Sequence, residues 1–139
     1  MEYRQLFREI HKRPGMYGLD GSYKSYEAFL MGCDAGNDWG LFSGFREWLI
    51  MRLGARSGFG WSGLVLQLAL SEEPSIPLSP GSDAKAVELL FELLDQFMEE
   101  RAPAHGVANI FERHQAWLST QTRVALLRVP DQDHSHGLP

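Results

Sequence analysis

The chain has 139 residues, a formal net charge of -5 at pH 7 and a hydrophobic fraction of 44%. This length suits a single domain with its own core, and the hydrophobic fraction excludes an intrinsically disordered chain. The negative charge argues against direct binding to nucleic acid. The single cysteine, Cys33, excludes an intramolecular disulfide and a cysteine-rich metal site.

The N-terminal segment is charged and amphipathic, and no apolar run in the chain reaches membrane-spanning length. We therefore expect a cytoplasmic protein that has no contact with a membrane. Apolar residues near the start recur at three- and four-residue spacing, which predicts an amphipathic first helix. Pro14 and Gly15 end this helix and set a turn in which Met16 and Tyr17 are expected to pack inward.

Two further helices are predicted in the first half of the chain. Ser22 or Ser25 caps the second helix, and Gly32 is its expected end. Residues 37–44 form a connection, and Ser43 is the candidate N-cap of the third helix.

The apolar run at 64–70 fits either a strand or a buried helix. We predict a helix, because an isolated strand would leave its backbone groups without hydrogen-bond partners. A loop containing Pro74, Pro77 and Pro80 follows.

The clearest predicted helix covers residues 83–101, with Ser82 or Asp83 as its N-cap and Pro103 beyond its end. One face of this helix is apolar and is expected to face the core. It consists of Val87, Leu90, Phe91, Leu94, Phe97 and Met98.

A last helix is predicted at about 107–118, and the apolar segment 124–129 is expected to pack on the body as helix or strand. Residues 130–139 are expected to form a mobile tail. The elements together predict an all-α fold: a single compact domain, residues 1–129, of about five to seven helices with long loops between them.

The residues 58–63 match the G-x-G-x-x-G pattern of dinucleotide-binding loops. That chemistry needs a strand before the glycines, whereas a helix is predicted here, so an inter-helix turn is the preferred interpretation. The tail residues Asp131, Asp133, His134 and His136 have ligand-type side chains but no fixed geometry. We predict no catalytic residue, no cofactor and no metal site.

The carboxylates of Glu88, Glu92, Asp95 and Glu99 recur along the long helix within about a 60° arc, nearly opposite its core face. We call these four residues the acidic strip. The arc is expected to face water or a partner, and an acidic surface of this kind attracts basic proteins. A solvated helix face that serves solubility is the alternative interpretation.

Trp39, Phe59 and Trp61 are secondary candidates for partner binding. An aromatic surface around them suits a homodimeric structural or regulatory module, which is the second functional hypothesis. The third is a small enzyme or nucleotide-binding protein that uses Arg13, Tyr17 or the glycine loop.

Five short segments, taken in order, form a series with a recognisable pattern. They are KRPGMY at 12–17, SYEAFLMG at 25–32, FREWL at 45–49, GW at 60–61 and AVELLFELLDQFMEE at 86–100. The series resembles a group of small helical bacterial proteins that look like the immunity proteins of polymorphic toxin systems. The resemblance covers roughly residues 10–101, and residues 102–139 have no counterpart in it.

The resemblance implies a non-enzymatic cytoplasmic protein that binds a cognate toxin and masks its active site. A toxin with a basic surface, such as a nuclease with a basic substrate groove, would suit the acidic strip. The leading hypothesis is therefore an immunity protein whose contact residues include the acidic strip.

Overall fold

The computed structural model describes the backbone of residues 2–71 and 76–136, with side chains as far as residue 127. The described chain contains helices and no strand, as predicted. The helices are α1 Tyr3–Lys12, α2 Tyr23–Gly36, α3 Phe45–Leu53, α4 Trp61–Ala69, α5 Pro80–Arg101 and α6 Gly106–His136, with a 3-10 turn at Pro14–Tyr17. None of the described helices is long and apolar enough to cross a bilayer.

Helix α5 lies at the centre of the fold and packs against α1, α2, α4 and α6. Every residue of its predicted core face is buried. Because α5 also buries Ala86 and Leu93, neighbouring helices cover more of its circumference than one apolar stripe would require. At its C-terminal end the ring of Phe97 contacts Phe45 of α3, with centroids 4.7 Å apart.

The predictions for α1 and α4 are confirmed. Helix α1 ends just before Pro14 and buries Phe7 and Ile10. Residues 64–69 lie in α4, where Leu64 and Val65 are fully buried. Met16 and Tyr17 were wrongly expected to pack inward, since they are 72% and 38% exposed.

Several predicted helix ends and caps are wrong. Helix α2 begins after its predicted cap Ser22 but continues through Gly32 to Gly36. Gly44 precedes α3 in place of Ser43, because the backbone there has a φ of 90°, a left-handed conformation that favours glycine.

Helix α5 begins earlier than predicted. Its N-cap is Ser79, whose hydroxyl accepts a hydrogen bond from the backbone N–H of Ser82, so neither Ser82 nor Asp83 is the cap. Pro80 then occupies the first helical position, where a missing N–H costs no intrahelical hydrogen bond.

Helix α6 is longer than the predicted segment and continues past Leu118. The segment 124–127 does not pack on the body as expected: Leu126 and Leu127 are 67% and 73% exposed. The backbone of α6 continues to His136. The side chains of residues 128–139 lie outside the described part of the chain, and they include the histidine and aspartate side chains of the predicted tail.

Candidate protein-binding surfaces

The centre of the acidic strip is occupied by α1. Arg4 donates two hydrogen bonds to the Asp95 carboxylate, at 2.7 Å from Nε and 3.0 Å from Nη2. Arg8 donates a third, at 3.2 Å. Both arginines project from α1, so these contacts join α1 to α5 and leave Asp95 half-buried.

Two other carboxylates of the strip also contact α1. Glu99 lies 3.6 Å from Arg4, and Glu88 lies 3.1 Å from the Nε2 atom of His11. Glu92 is exposed and has no ion-pair partner among the described residues. The expectation that all four carboxylates face water or a partner is therefore wrong for Asp95, because the basic side of α1 covers it.

The contact between Arg4 and Asp95 changes the acidity of both groups. The hydrogen bonds from Arg4, together with the nearby charges of Arg4 and Arg8, lower the pKa of the Asp95 carboxyl. The same hydrogen bond to Asp95 raises the pKa of Arg4. Asp95 is therefore ionised at neutral pH and forms an ion pair with residues of its own chain.

A second acidic feature lies beside the strip and was not recognised in the sequence. It is a groove of about 570 Å³ between α1, the connection before α2 and the first turns of α5. The carboxylates of Asp20, Asp83 and Glu88 line it, and Tyr26 and Val87 contribute apolar surface. We call it the acidic groove. Its acids are spread over 69 positions of sequence, so no local pattern reveals it.

Two of the groove carboxylates are fixed by hydrogen bonds from the backbone. Asp20 accepts one from the N–H of Ser22 at 2.9 Å, and hydrogen bonds from Ser22 lower the pKa of Asp20. Asp83 accepts one from the N–H of Tyr23 at 3.2 Å, which links the start of α2 to α5. The third carboxylate, Glu88, contacts only His11 among the described residues and has an exposed side chain.

His11 lies at the junction of the strip and the groove. Its ring stacks on Phe91 with a centroid separation of 4.2 Å and an interplanar angle of 5°. Sequence alone gave His11 no role, because both of its partners lie on α5, about 80 positions away.

The three aromatic candidates are not equivalent. Trp61 is half-buried, and its ring contacts Phe42 and Phe45, so it belongs to the border of the core. Trp39 and Phe59 are 64% and 52% exposed and lie on different loops. Of the three candidates, Trp39 and Phe59 therefore remain the exposed aromatic residues.

The glycine motif forms the connection between α3 and α4, and a helix precedes it, as expected. Arg46 holds this loop by donating hydrogen bonds to the carbonyls of Ser57 and Phe59. A Cβ atom on Gly63 would lie 2.9 Å from the Cβ of Phe59. Glycine at position 63 thus allows Phe59 to pack closely on α4, and this packing explains the glycine without a bound nucleotide.

A small polar cluster joins α2 to α4. The Tyr23 hydroxyl donates to the carbonyl of Ser62 at 2.7 Å, and the Ser62 hydroxyl donates to the carboxylate of Glu27. Burial raises the pKa of the Tyr23 hydroxyl. Each group has a partner from a neighbouring helix, so the arrangement stabilises the packing of α2 on α4.

Within the described part of the chain, no three His, Cys, Asp or Glu side chains are grouped as a metal site would require. No protein-family model, curated protein or solved structure matches the chain.

Proposed function

We propose that this chain is a non-enzymatic cytoplasmic immunity protein that neutralises a cognate bacterial toxin by binding a basic surface on it. The observation that carries the proposal is the acidic groove, which the exposed Glu88 lines, together with the exposed Glu92 one helical turn further along α5. The sequence resemblance to immunity proteins supports the same function.

The chemistry of the groove suits an arginine or lysine side chain. Such a side chain has an aliphatic stem and a cationic head, and the groove offers Val87 and Leu78 for the stem. Asp20 and Asp83 supply carboxylates that are already oriented by backbone hydrogen bonds. Preoriented acceptors lower the entropic cost of binding a cation.

The ion pairs within the chain reduce the number of acidic-strip residues that are free to contact a partner. Asp95 already pairs with Arg4 and Arg8, so binding a partner there would require those contacts to break. Glu88 and Glu92 are the members of the strip that a partner reaches most directly, since both are exposed. Glu99 is also exposed but lies near Arg4.

The first test is co-expression with a toxin encoded by a neighbouring gene. We expect the two proteins to co-purify and the chain to restore growth of cells that produce the toxin. Growth arrest without co-purification would contradict the proposal.

The second test measures association kinetics with that toxin at several salt concentrations. The double variant Glu88→Lys/Glu92→Lys should lower the association rate constant by about tenfold at low salt and weaken its salt dependence. The control is the double variant Glu47→Lys/Glu112→Lys, which changes the net charge by the same amount through two residues outside the groove. If both double variants slow association equally, net charge and not the groove explains the effect.

A further inference from the structure

One face of α2 is exposed and almost uncharged. Lys24, Ala28, Met31 and Ala35 follow one another at spacings of four, three and four residues, which places them on one side of the helix. All four are exposed, whereas Tyr23, Tyr26 and Leu30 on the opposite side are buried. We call this side the outer face of α2. It has the spacing of a seam between two paired helices.

Two glycines flank the outer face, at positions 32 and 36. A Cβ atom on either would meet no other atom within 4 Å, and neither has a backbone conformation that favours glycine. Glycine in the middle of a helix makes the helix less stable than alanine would. Neither close packing nor backbone conformation within this chain explains why glycine is present at these two positions. Residues without side chains do allow a second helix to approach closely.

Large apolar side chains are also exposed on this side and at its end. Met31 is 46% exposed, and Trp39, which follows α2 by three residues, is 64% exposed. The backbone of Trp39 is held in place, because its backbone N–H donates a hydrogen bond to the carbonyl of Asp34 at 2.8 Å. Tryptophan on an ordered loop is typical of residues that dominate the energy of protein interfaces.

The charged residues Lys24 and Asp38, at the two ends of α2, are opposite in sign. Lys24 lies in the first turn of α2 and Asp38 lies two residues beyond its end, and both are exposed. Neither has an ion-pair partner among the described residues of its own chain. The other acids of α2 are already engaged, Glu27 by Ser62 and Asp34 by the N–H of Phe42.

We propose that the outer face of α2 binds the same face of a second copy of this chain, with the two helices antiparallel. A two-fold axis near Met31 and Gly32 would place each Met31 against the gap left by Gly32 of the other copy. The same axis would bring Lys24 of each copy to Asp38 of the other, which forms two symmetric ion pairs. Because the outer face is complementary to itself in charge and shape, a second copy of this chain is the partner that fits it. The residues of the outer face do not line the acidic groove, so the proposal is independent of toxin binding.

The first experiment is sedimentation velocity of the full chain over a wide range of concentrations. We expect a reversible change from monomer to dimer as concentration rises. Ala28→Glu places a charged side chain within the seam, about one helical turn from its centre, and should raise the dimer dissociation constant at least about tenfold. Ala108→Glu, at an exposed position of α6, is the matched control and should leave it unchanged. A wild-type monomer at every concentration would overturn the proposal, as would an Ala28→Glu variant that dimerises normally.

The second experiment tests the ion pair. Lys24→Glu puts like charges together at both symmetric positions and should weaken dimerisation by roughly tenfold. Adding Asp38→Asn should recover most of the lost dimer affinity, because asparagine removes the repulsion and tolerates the positive φ of position 38. If the two changes weaken the dimer additively, Lys24 and Asp38 do not meet across the interface.

Discussion

Arg4 gives Asp95 a bidentate ion pair, and Arg8 adds a third hydrogen bond to the same carboxylate. One side chain of α5 therefore holds two successive turns of α1. The sequence shows that Arg4 and Arg8 share a side of α1 and that Asp95 belongs to an acidic arc on α5. It does not show that the two sets meet, because 91 positions separate Arg4 from Asp95.

Asp95→Asn should lower the free energy of unfolding by on the order of 1 kcal/mol at neutral pH, since the ion pair is partly exposed to solvent. The folded-state pKa of Asp95 lies below the ordinary value of 3.8. Its contribution is therefore complete above about pH 5 and is lost as the pH falls through 3.8 and then through the folded-state pKa. Urea unfolding of both proteins between pH 7 and pH 3 measures this difference.

The matched control for this prediction is Glu92→Gln, which removes one negative charge from an exposed residue of the same helix. It should change the free energy of unfolding by less than about 0.5 kcal/mol at every pH. An Asp95→Asn variant as stable as wild type at neutral pH would show that the pair does not stabilise the docking of α1.

At the scale of helices, sequence predicted α5 well and α6 poorly for a physical reason. The apolar stripe of α5 specifies burial along its whole length, and the structure buries each residue of it. Among the described side chains of α6, only that of Ile110 is buried, and Trp117 and Leu118 are half-buried, so this part of the helix receives little stabilisation from packing beyond its first turns. Apolar periodicity therefore located its packed part but not its end.

Boundaries that depend on tertiary contacts were also missed. Gly44 replaces the expected cap Ser43 because the backbone turns there with a φ of 90°, in contact with Ile110 and Phe111 of α6, and no local pattern encodes that packing. The acidic groove belongs to the same class, since α1, the connection before α2 and α5 must come together before it exists. The strip was found because it lies on one helix.

Removal of residues 124–139 should leave the stability of the domain nearly unchanged. The described side chains of this segment are exposed, with Leu126 and Leu127 about two-thirds or more in solvent, so little packing is lost. We expect the free energy of unfolding to change by less than about 1 kcal/mol, measured by urea unfolding at low protein concentration. Trp117→Ala in the full chain is the comparison and should cost about 1–3 kcal/mol, because Trp117 packs on the core. A larger loss on truncation than on Trp117→Ala would show that the segment contributes to the fold.

At the scale of the whole molecule, α5 connects nearly every other helix. It packs directly on α1, α2, α4 and α6, and through Phe97 it also contacts Phe45 and Trp48 of α3. Glu100 adds a polar link, because its carboxylate accepts hydrogen bonds from Trp48 of α3 and Arg113 of α6. Since no helix of the core is independent of α5, we expect the domain to unfold as one unit.

Leu90→Ala tests this cooperativity, because Leu90 is fully buried on α5. The substitution should lower the free energy of unfolding by about 2–5 kcal/mol, a large part of the total for a small domain. Far-UV circular dichroism and tryptophan fluorescence should still give coincident transitions, because the tryptophans on α3, α4 and α6 all lose their packing together with α5. Leu126→Ala, at a residue 67% exposed, should change stability by less than about 0.5 kcal/mol. If the two signals separated in Leu90→Ala, part of the helical structure would be stable without the packing around α5, and the domain would consist of more than one folding unit.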